Sequence, residues 1–500
     1  MAEQSGGHRG GPSRRRPLQP ARSVQRPAER ARRTDPARLA AYTVLRAVGE
    51  GAYANLELPK VLREKGISGR DAGFATELVY GATRMHGFYD PVIATAARRD
   101  LASIDENVLD TLRLGAHQVL GMRVATHAAV DETVALARQV NGVGASGFVN
   151  AVMRRISERE REEWLDAVAP AGMDPFAATA IRTSHPEWVV RALRAALIGH
   201  GAATAETVGA ELGALLESDN AAAKVTLVAR PGLATVDELI GDGVEPARLA
   251  RTAAVLDQGD PGAFRAVREG RAAVQDEGSQ LVALALAAAE VEHGGGQAPE
   301  RWLDLCAGPG GKAGLLAGLA LEGGASLVAN EVSTHRTDLV RKTLAVATAR
   351  GARGQIAVRT GDGREIGEDE PGAYDRVLID APCTGLGALR RRPEARWRRA
   401  QTDVAGLASL QRDLLASGIE ATRRGGVIGY ATCSPHLNET RFVVSDVAKK
   451  HHNIELVDAR GLFVDVAGDA IEGLGDGPFV QLWPHRHGTD GMFFALLRKL

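Results

Sequence analysis

Arg301-Trp302-Leu303-Asp304-Leu305-Cys306-Ala307-Gly308-Pro309-Gly310-Gly311-Lys312 decides how the second half of this chain folds. It reads as a short strand running into a glycine-rich turn and then a helix. Glycines in such a turn let the backbone approach a ligand closely, because no side chain stands between them. A magnesium-nucleotide loop is excluded, since Ala313 follows Lys312 where a Ser or Thr hydroxyl should meet the metal. A dinucleotide loop is not excluded: Gly308, Gly310 and Ala313 fit its loose form, although that fingerprint alone has little specificity.

Working outward, strand candidates alternate with helices at Trp302 to Cys306, Ser326 to Glu331, Ile356 to Thr360, Tyr374 to Asp380 and Val427 to Tyr430. Such alternation implies a parallel sheet with helices on both faces. Phe479 to Trp483 and Met492 to Leu497 follow with little room for a crossover helix, and are expected to form an antiparallel hairpin at one sheet edge. The strand ends carry polar groups in series. Glu331 stands 23 residues after Gly308, placed to accept hydrogen bonds from ribose hydroxyls. Asp362 follows the third strand, where a carboxylate can meet an adenine amino group, and Asp380 ends the fourth. Helix capping or turn formation explains any one of these. The whole set points instead to a nucleoside cofactor with a reacting centre near the fourth strand.

The chain has 3 cysteines in 500 residues. Cys383 lies in Asp380-Ala381-Pro382-Cys383-Thr384-Gly385, and Cys433 in Tyr430-Ala431-Thr432-Cys433-Ser434-Pro435, each just past an apolar strand. A cysteine taken alone is ordinarily a small buried hydrophobe. So few in so long a chain argue against a disulfide, and no spacing suits zinc. At the ligand end of a parallel sheet, however, two thiols suggest covalent catalysis. Between them runs Arg390-Arg391-Arg392-Pro393-Glu394-Ala395-Arg396-Trp397-Arg398-Arg399. Its six arginines and one tryptophan suit an RNA backbone and a splayed base as well as they suit a solvated helix start. Its place beside Cys383 favours RNA contact, by Arg391, Arg392, Arg396, Trp397 and Arg398.

Upstream the character changes. Residues 36–160 show helical spacing throughout, as in Leu39, Tyr42, Leu45 and Val48, and read as an all-α domain of six helices. Residues 161–270 read as a small mixed α/β linker domain with a strand at Lys224 to Arg230, and residues 271–500 as the sheet domain. Residues 1–35 form an arginine-rich tail; nine arginines against two glutamates before residue 34 leave nothing to bury, so disorder is expected. The longest uncharged apolar run, Leu281 to Ala289, is too short to span a bilayer, and a cytoplasmic protein without membrane association is expected.

Leu305 through Lys312, Asp380-Ala381-Pro382-Cys383 and Thr432-Cys433-Ser434 resemble the motifs of the RsmB/Sun-type RNA 5-methylcytosine methyltransferases. Gln275 to Gln280 and Asp490 to Ala495 are similar to two further blocks of that family. Phe74 to Gly87 and Gly147 to Arg155 resemble its NusB-like RNA-binding domain. The resemblance implies an all-α NusB-like domain, a small linker domain and a C-terminal Rossmann-like methyltransferase domain with a seven-stranded, mostly parallel sheet. It implies S-adenosyl-L-methionine as methyl donor, held by Cys306, Ala307, Gly308, Pro309, Gly310, Gly311, Lys312, Glu331, Asp362 and Asp380. It also implies that Cys433 is the nucleophile and that Cys383 helps release the product, with Asp380 holding the base edge. A monomer acting on ribosomal RNA is the expectation, with transfer RNA as the alternative substrate. One departure stands out: Gly308 replaces an alanine common in the RsmB branch, and is expected only to loosen the turn. The competing readings are an RNA-binding assembly factor with an inert transferase domain, and a nicotinamide-dependent oxidoreductase that would leave both thiols unexplained.

Overall fold

The computed structural model describes residues 34–257, 259–292 and 298–500; most of the arginine-rich tail lies outside them. Among the described residues the chain begins with seven α-helices, from Pro36–Gly49 to Val143–Ile156. Asp35 caps the first, its carboxylate accepting the Arg38 N–H, and Pro36 sits in the first turn, where a missing N–H costs nothing. The count is one more than the six expected. Gly69–Arg84 and His86–Ala97 meet at the single residue Met85, with no intervening loop to separate them in the sequence pattern. Phe88, Tyr89, Leu112, Val149 and Met153 form one buried core of this region, and Ala40, Val44, Leu78 and Val79 a second.

Four helices, Arg161–Val168, Pro175–Thr183, Glu187–Gly199 and Val208–Asn220, lead into a small antiparallel sheet. Its strands are β1 (Val225–Ala229), β2 (Val244–Pro246), β3 (Ala253–Leu256) and β4 (Ala272–Val274), in the order β2-β3-β1-β4.

The large sheet holds β5 (Arg301–Asp304), β6 (Ser326–Glu331), β7 (Ile356–Thr360), β8 (Tyr374–Asp380), β9 (Thr422–Thr432), β10 (Ile454–Val457), β11 (Val480–Gln481) and β12 (Phe493–Lys499). Seven strands run in the order β10-β12-β9-β8-β5-β6-β7, and β11 pairs with β12 off that path. Strands β5 to β9 are mutually parallel, whereas β12 is antiparallel to β9 and to β10. From β5 the chain first winds outward through β6 and β7, then crosses to β8 on the other side. The order therefore switches between β5 and β8, and open α/β sheets bind ligands at such a crevice.

One expectation is corrected. β12 is no edge strand: it lies between β9 and β10, and Phe493 to Leu497 are all buried. An antiparallel strand covered on both faces reads as a continuous apolar run, like an inner parallel strand. The true edge, β10, has four residues, none of them buried.

Candidate active site

Five strand ends converge at the switch point and line a cavity of about 850 Å³. The first is the glycine turn after β5. Gly310 has φ +115°, a conformation that suits glycine, and a Cβ there would come within 2.8 Å of Thr343. At Gly308 the reason for glycine is space. A Cβ would lie 2.1 Å from Glu331 Oε2, the atom that accepts the Gly308 N–H at 3.1 Å. Here the glycine admits the carboxylate to the turn, which goes beyond the expected loosening.

Glu331, at the end of β6, is 3% exposed; its Oε1 accepts the Ser333 N–H at 3.0 Å. Asp362, after β7, forks the Arg364 guanidinium, which holds its carboxyl below the usual range. Glu331 and Asp362 line one end of the cavity; Asp380, Cys383 and Cys433 line it with them. A glycine cradle with two strand-end carboxylates fits the ribose and amino groups of a nucleoside cofactor.

At the other end, Lys312 Nζ donates to Asp380 Oδ2 at 2.8 Å. Burial opposes the Lys312 charge, but the Asp380 carboxylate outweighs it and the pKa of Lys312 is raised. Cys383 and Cys433 hang from the ends of β8 and β9, and their sulfurs lie 3.5 Å apart. The Cys433 thiol is lowered, first by the hydrogen bond from Cys383, then, against burial and Asp380, by Lys312 and Arg392. The same hydrogen bond, with burial and the neighbouring charge, raises Cys383. The two thiols are thereby shifted in opposite directions, Cys433 down and Cys383 up. Burial pushes the Cys306 thiol well up, which suits a packing group.

The arginine-rich segment needs correction. Arg396 is 0% exposed, and donates to Ser184 O at 2.9 Å, Asn220 Oδ1 at 2.8 Å and Asp219 O at 3.1 Å. A guanidinium buried and tied down in this way cannot reach a phosphate. Arg391 forks Asp490, at 2.9 and 3.0 Å from Nε. Arg398 donates to the Val48 and Ala52 carbonyls, and the Trp397 ring lies 5.0 Å from that of His86. The segment is a strut joining the helical domain to the Cys383 loop. Of the set, Arg391, Arg392 and Arg398 also line the cavity.

The sequence reading missed two residues here. Tyr53, from the helical domain, lines the cavity with the Arg392 and Arg398 guanidinium carbons 5.5 and 5.0 Å from its ring centre. Glu439 lies buried beneath both cysteine loops. Its six-residue distance from Cys433 was the one available signal.

The architecture is a helical front domain joined to a Rossmann-like domain with its crevice at the glycine turn, and the family match makes the latter a methyltransferase domain. Residues 295–498 match the 16S rRNA methyltransferase RsmB/F family, and residues 35–158 the NusB family. A Mycobacterium tuberculosis chain described as a methyltransferase is 51% identical over 94% of this chain and 98% of its own. Ribosomal RNA small subunit methyltransferase B of Pseudomonas putida is 32% identical over 93% of this chain and 98% of its own. The crystal structure of PH0851 superposes with a TM-score of 0.75 at 21% identity, covering 94% of this chain and 100% of that one, and shows the shared fold. The chain belongs to the RsmB/F family, and S-adenosylmethionine is its methyl donor.

Proposed function

We propose that this protein methylates carbon 5 of a cytosine in ribosomal RNA through a covalent bond between Cys433 and carbon 6. The observation that carries the reading is the 3.5 Å approach of Cys383 and Cys433 beside the Lys312–Asp380 pair. Carbon 5 of cytosine is too weak a nucleophile to take a methyl group unaided. Adding the Cys433 thiolate to carbon 6 turns the ring into an enamine whose carbon 5 can attack. Asp380 accepts a hydrogen bond from the N4 amino group, and the Lys312 ammonium paired with it offsets the negative charge of the adduct. The bound cofactor supplies an electrophilic methyl group and is held by the turn from Cys306 to Lys312 with Glu331, Asp362 and Asp380. Carbon 5 then gives its proton to solvent water, the electrons of that bond re-form the carbon 5–carbon 6 double bond as the carbon 6–sulfur bond breaks, and Cys433 leaves as the thiolate it began as. Cys383 is assigned to this release.

The target base leaves its stack to reach the thiols. Arg392 and Arg398, at the cavity wall, steady the strand, and the helical front domain presents the RNA. The reading takes the enzyme as a cytoplasmic monomer. The test uses labelled methyl donor and ribosomal RNA. Cys433→Ala should abolish incorporation into 5-methylcytosine, and Cys383→Ala should accumulate a protein–RNA adduct that survives denaturing electrophoresis. Full activity in Cys433→Ala would refute the mechanism.

A further inference from the structure

Glu439, in the turn Leu437–Glu439, is 0% exposed and carries a carboxylate surrounded by donors. Oε1 accepts the Thr384 N–H at 2.8 Å and the Gln411 amide at 3.3 Å. Oε2 accepts the Ser434 hydroxyl at 2.7 Å and the Thr384 hydroxyl. Thr384 follows Cys383, and Ser434 follows Cys433; their hydroxyl oxygens stand 3.0 Å apart. Gln411 also donates to Pro382 O at 2.7 Å, and the Tyr430 hydroxyl to Glu439 O at 2.7 Å. One carboxylate thus holds the residue after each thiol, from two loops about 50 positions apart in sequence.

We infer that Glu439 is a positioning residue that staples the two cysteine loops and sets the distance between Cys383 and Cys433. This rests on the paired-thiol function proposed above. A carboxylate suits the task because all its partners donate, so both loops close on one acceptor without competing. Its charge also helps keep Cys383 in the protonated form. Groups pre-positioned in this way matter steeply, since a misplacement of about 1 Å costs on the order of 10²-fold in rate.

The experiment has two arms on the full chain, with Glu439→Ala, Glu439→Gln and Thr384→Val. In the first, diamide oxidises the thiols: both lose a proton and an electron, the disulfide forms, and the diazene is reduced to the hydrazine. Mass spectrometry follows the Cys383–Cys433 peptide pair. In the second, kcat and KM are measured for methylation. Glu439→Ala should slow cross-linking and lower kcat by about tenfold or more, with KM for RNA and cofactor within about twofold. Glu439→Gln, which keeps an acceptor for the Thr384 N–H, should fall between Ala and wild type. Unchanged cross-linking in a folded Glu439→Ala protein would overturn the inference, as would slowed cross-linking with unchanged kcat. If Glu439→Ala does not fold, Glu439→Gln and Thr384→Val decide by the same criteria. Wild-type protein that cross-links yet leaves cytosine unmethylated would refute the proposed function; the first arm would still judge the staple.

Discussion

Replacing Arg396 by methionine separates a strut from an RNA contact. Methionine keeps much of the apolar stem and removes the guanidinium from a site that is 0% exposed. Lost with it are the bonds to Ser184 O, Asn220 Oδ1 and Asp219 O, at 2.9, 2.8 and 3.1 Å. A buried acceptor left without its donor costs about 1–3 kcal/mol. Relief from holding a desolvated cation offsets part of that sum, so a net loss of about 3–5 kcal/mol is expected. With a urea slope of about 1–3 kcal/mol per molar, the unfolding midpoint should fall by on the order of 1 M or more. Tryptophan fluorescence reads that midpoint. RNA affinity, measured well below it across a salt series, should keep its slope, because no phosphate contact has gone; losing one would lower the slope by about 1. A variant with the native midpoint, weaker RNA binding and a reduced salt slope would refute the assignment.

The buried acid beside this strut gives a pH prediction. Burial holds the Asp219 carboxyl up at about 7, against about 4 in the unfolded chain. A folded value above the unfolded one favours the protonated native state. Its contribution is whole below about pH 4 and is lost as pH rises through about 7. Stability should fall across that window by at most about 1.4 kcal/mol per unit. Asp219→Asn should flatten that limb of the urea-midpoint curve, and an unchanged limb would sink the argument. At the active site, Lys312→Met removes a cation that lowers the Cys433 thiol. Iodoacetamide labelling of Cys433, followed by peptide mass spectrometry, should shift to higher pH. A profile identical to wild type would show that Lys312 does not tune the thiol.

What the sequence disclosed and what it hid divide along physical lines. The glycine turn, Glu331, Asp362 and Asp380 were legible because each is tied to a strand end by a few residues of local pattern. Arg396 was not. Its composition reads as solvated, and its burial depends on Ser184 and Asn220, 212 and 176 positions away. Tyr53 was invisible for the same reason: it lines the cavity from another domain. The misplaced edge has another cause, since the four residues of β10 carry no clean alternation.

The paired thiols follow from the topology more than from either motif. Adjacent strands lie about 4.8 Å apart, and β8 and β9 pair in parallel through Asp380↔Ala431. Cys383 comes three residues after Asp380 and Cys433 two after Ala431, so both loops leave the same end of neighbouring strands. The fold brings the sulfurs near each other but does not fix them at 3.5 Å. Two further contacts tighten the loops. The Gly387 N–H donates to Cys433 O at 2.9 Å, and Gly491 donates to Gly387 O at 2.7 Å. A Cβ on Gly387 would lie 2.1 Å from Gly491 O, so this clasp needs glycine. Asp490, beside it, receives Arg391 from the strut and donates its N–H to Asp276 at 2.9 Å. The blocks at Gln275–Gln280 and Asp490–Ala495 thus meet beneath the Cys383 loop, and the strut ties that loop to the helical domain.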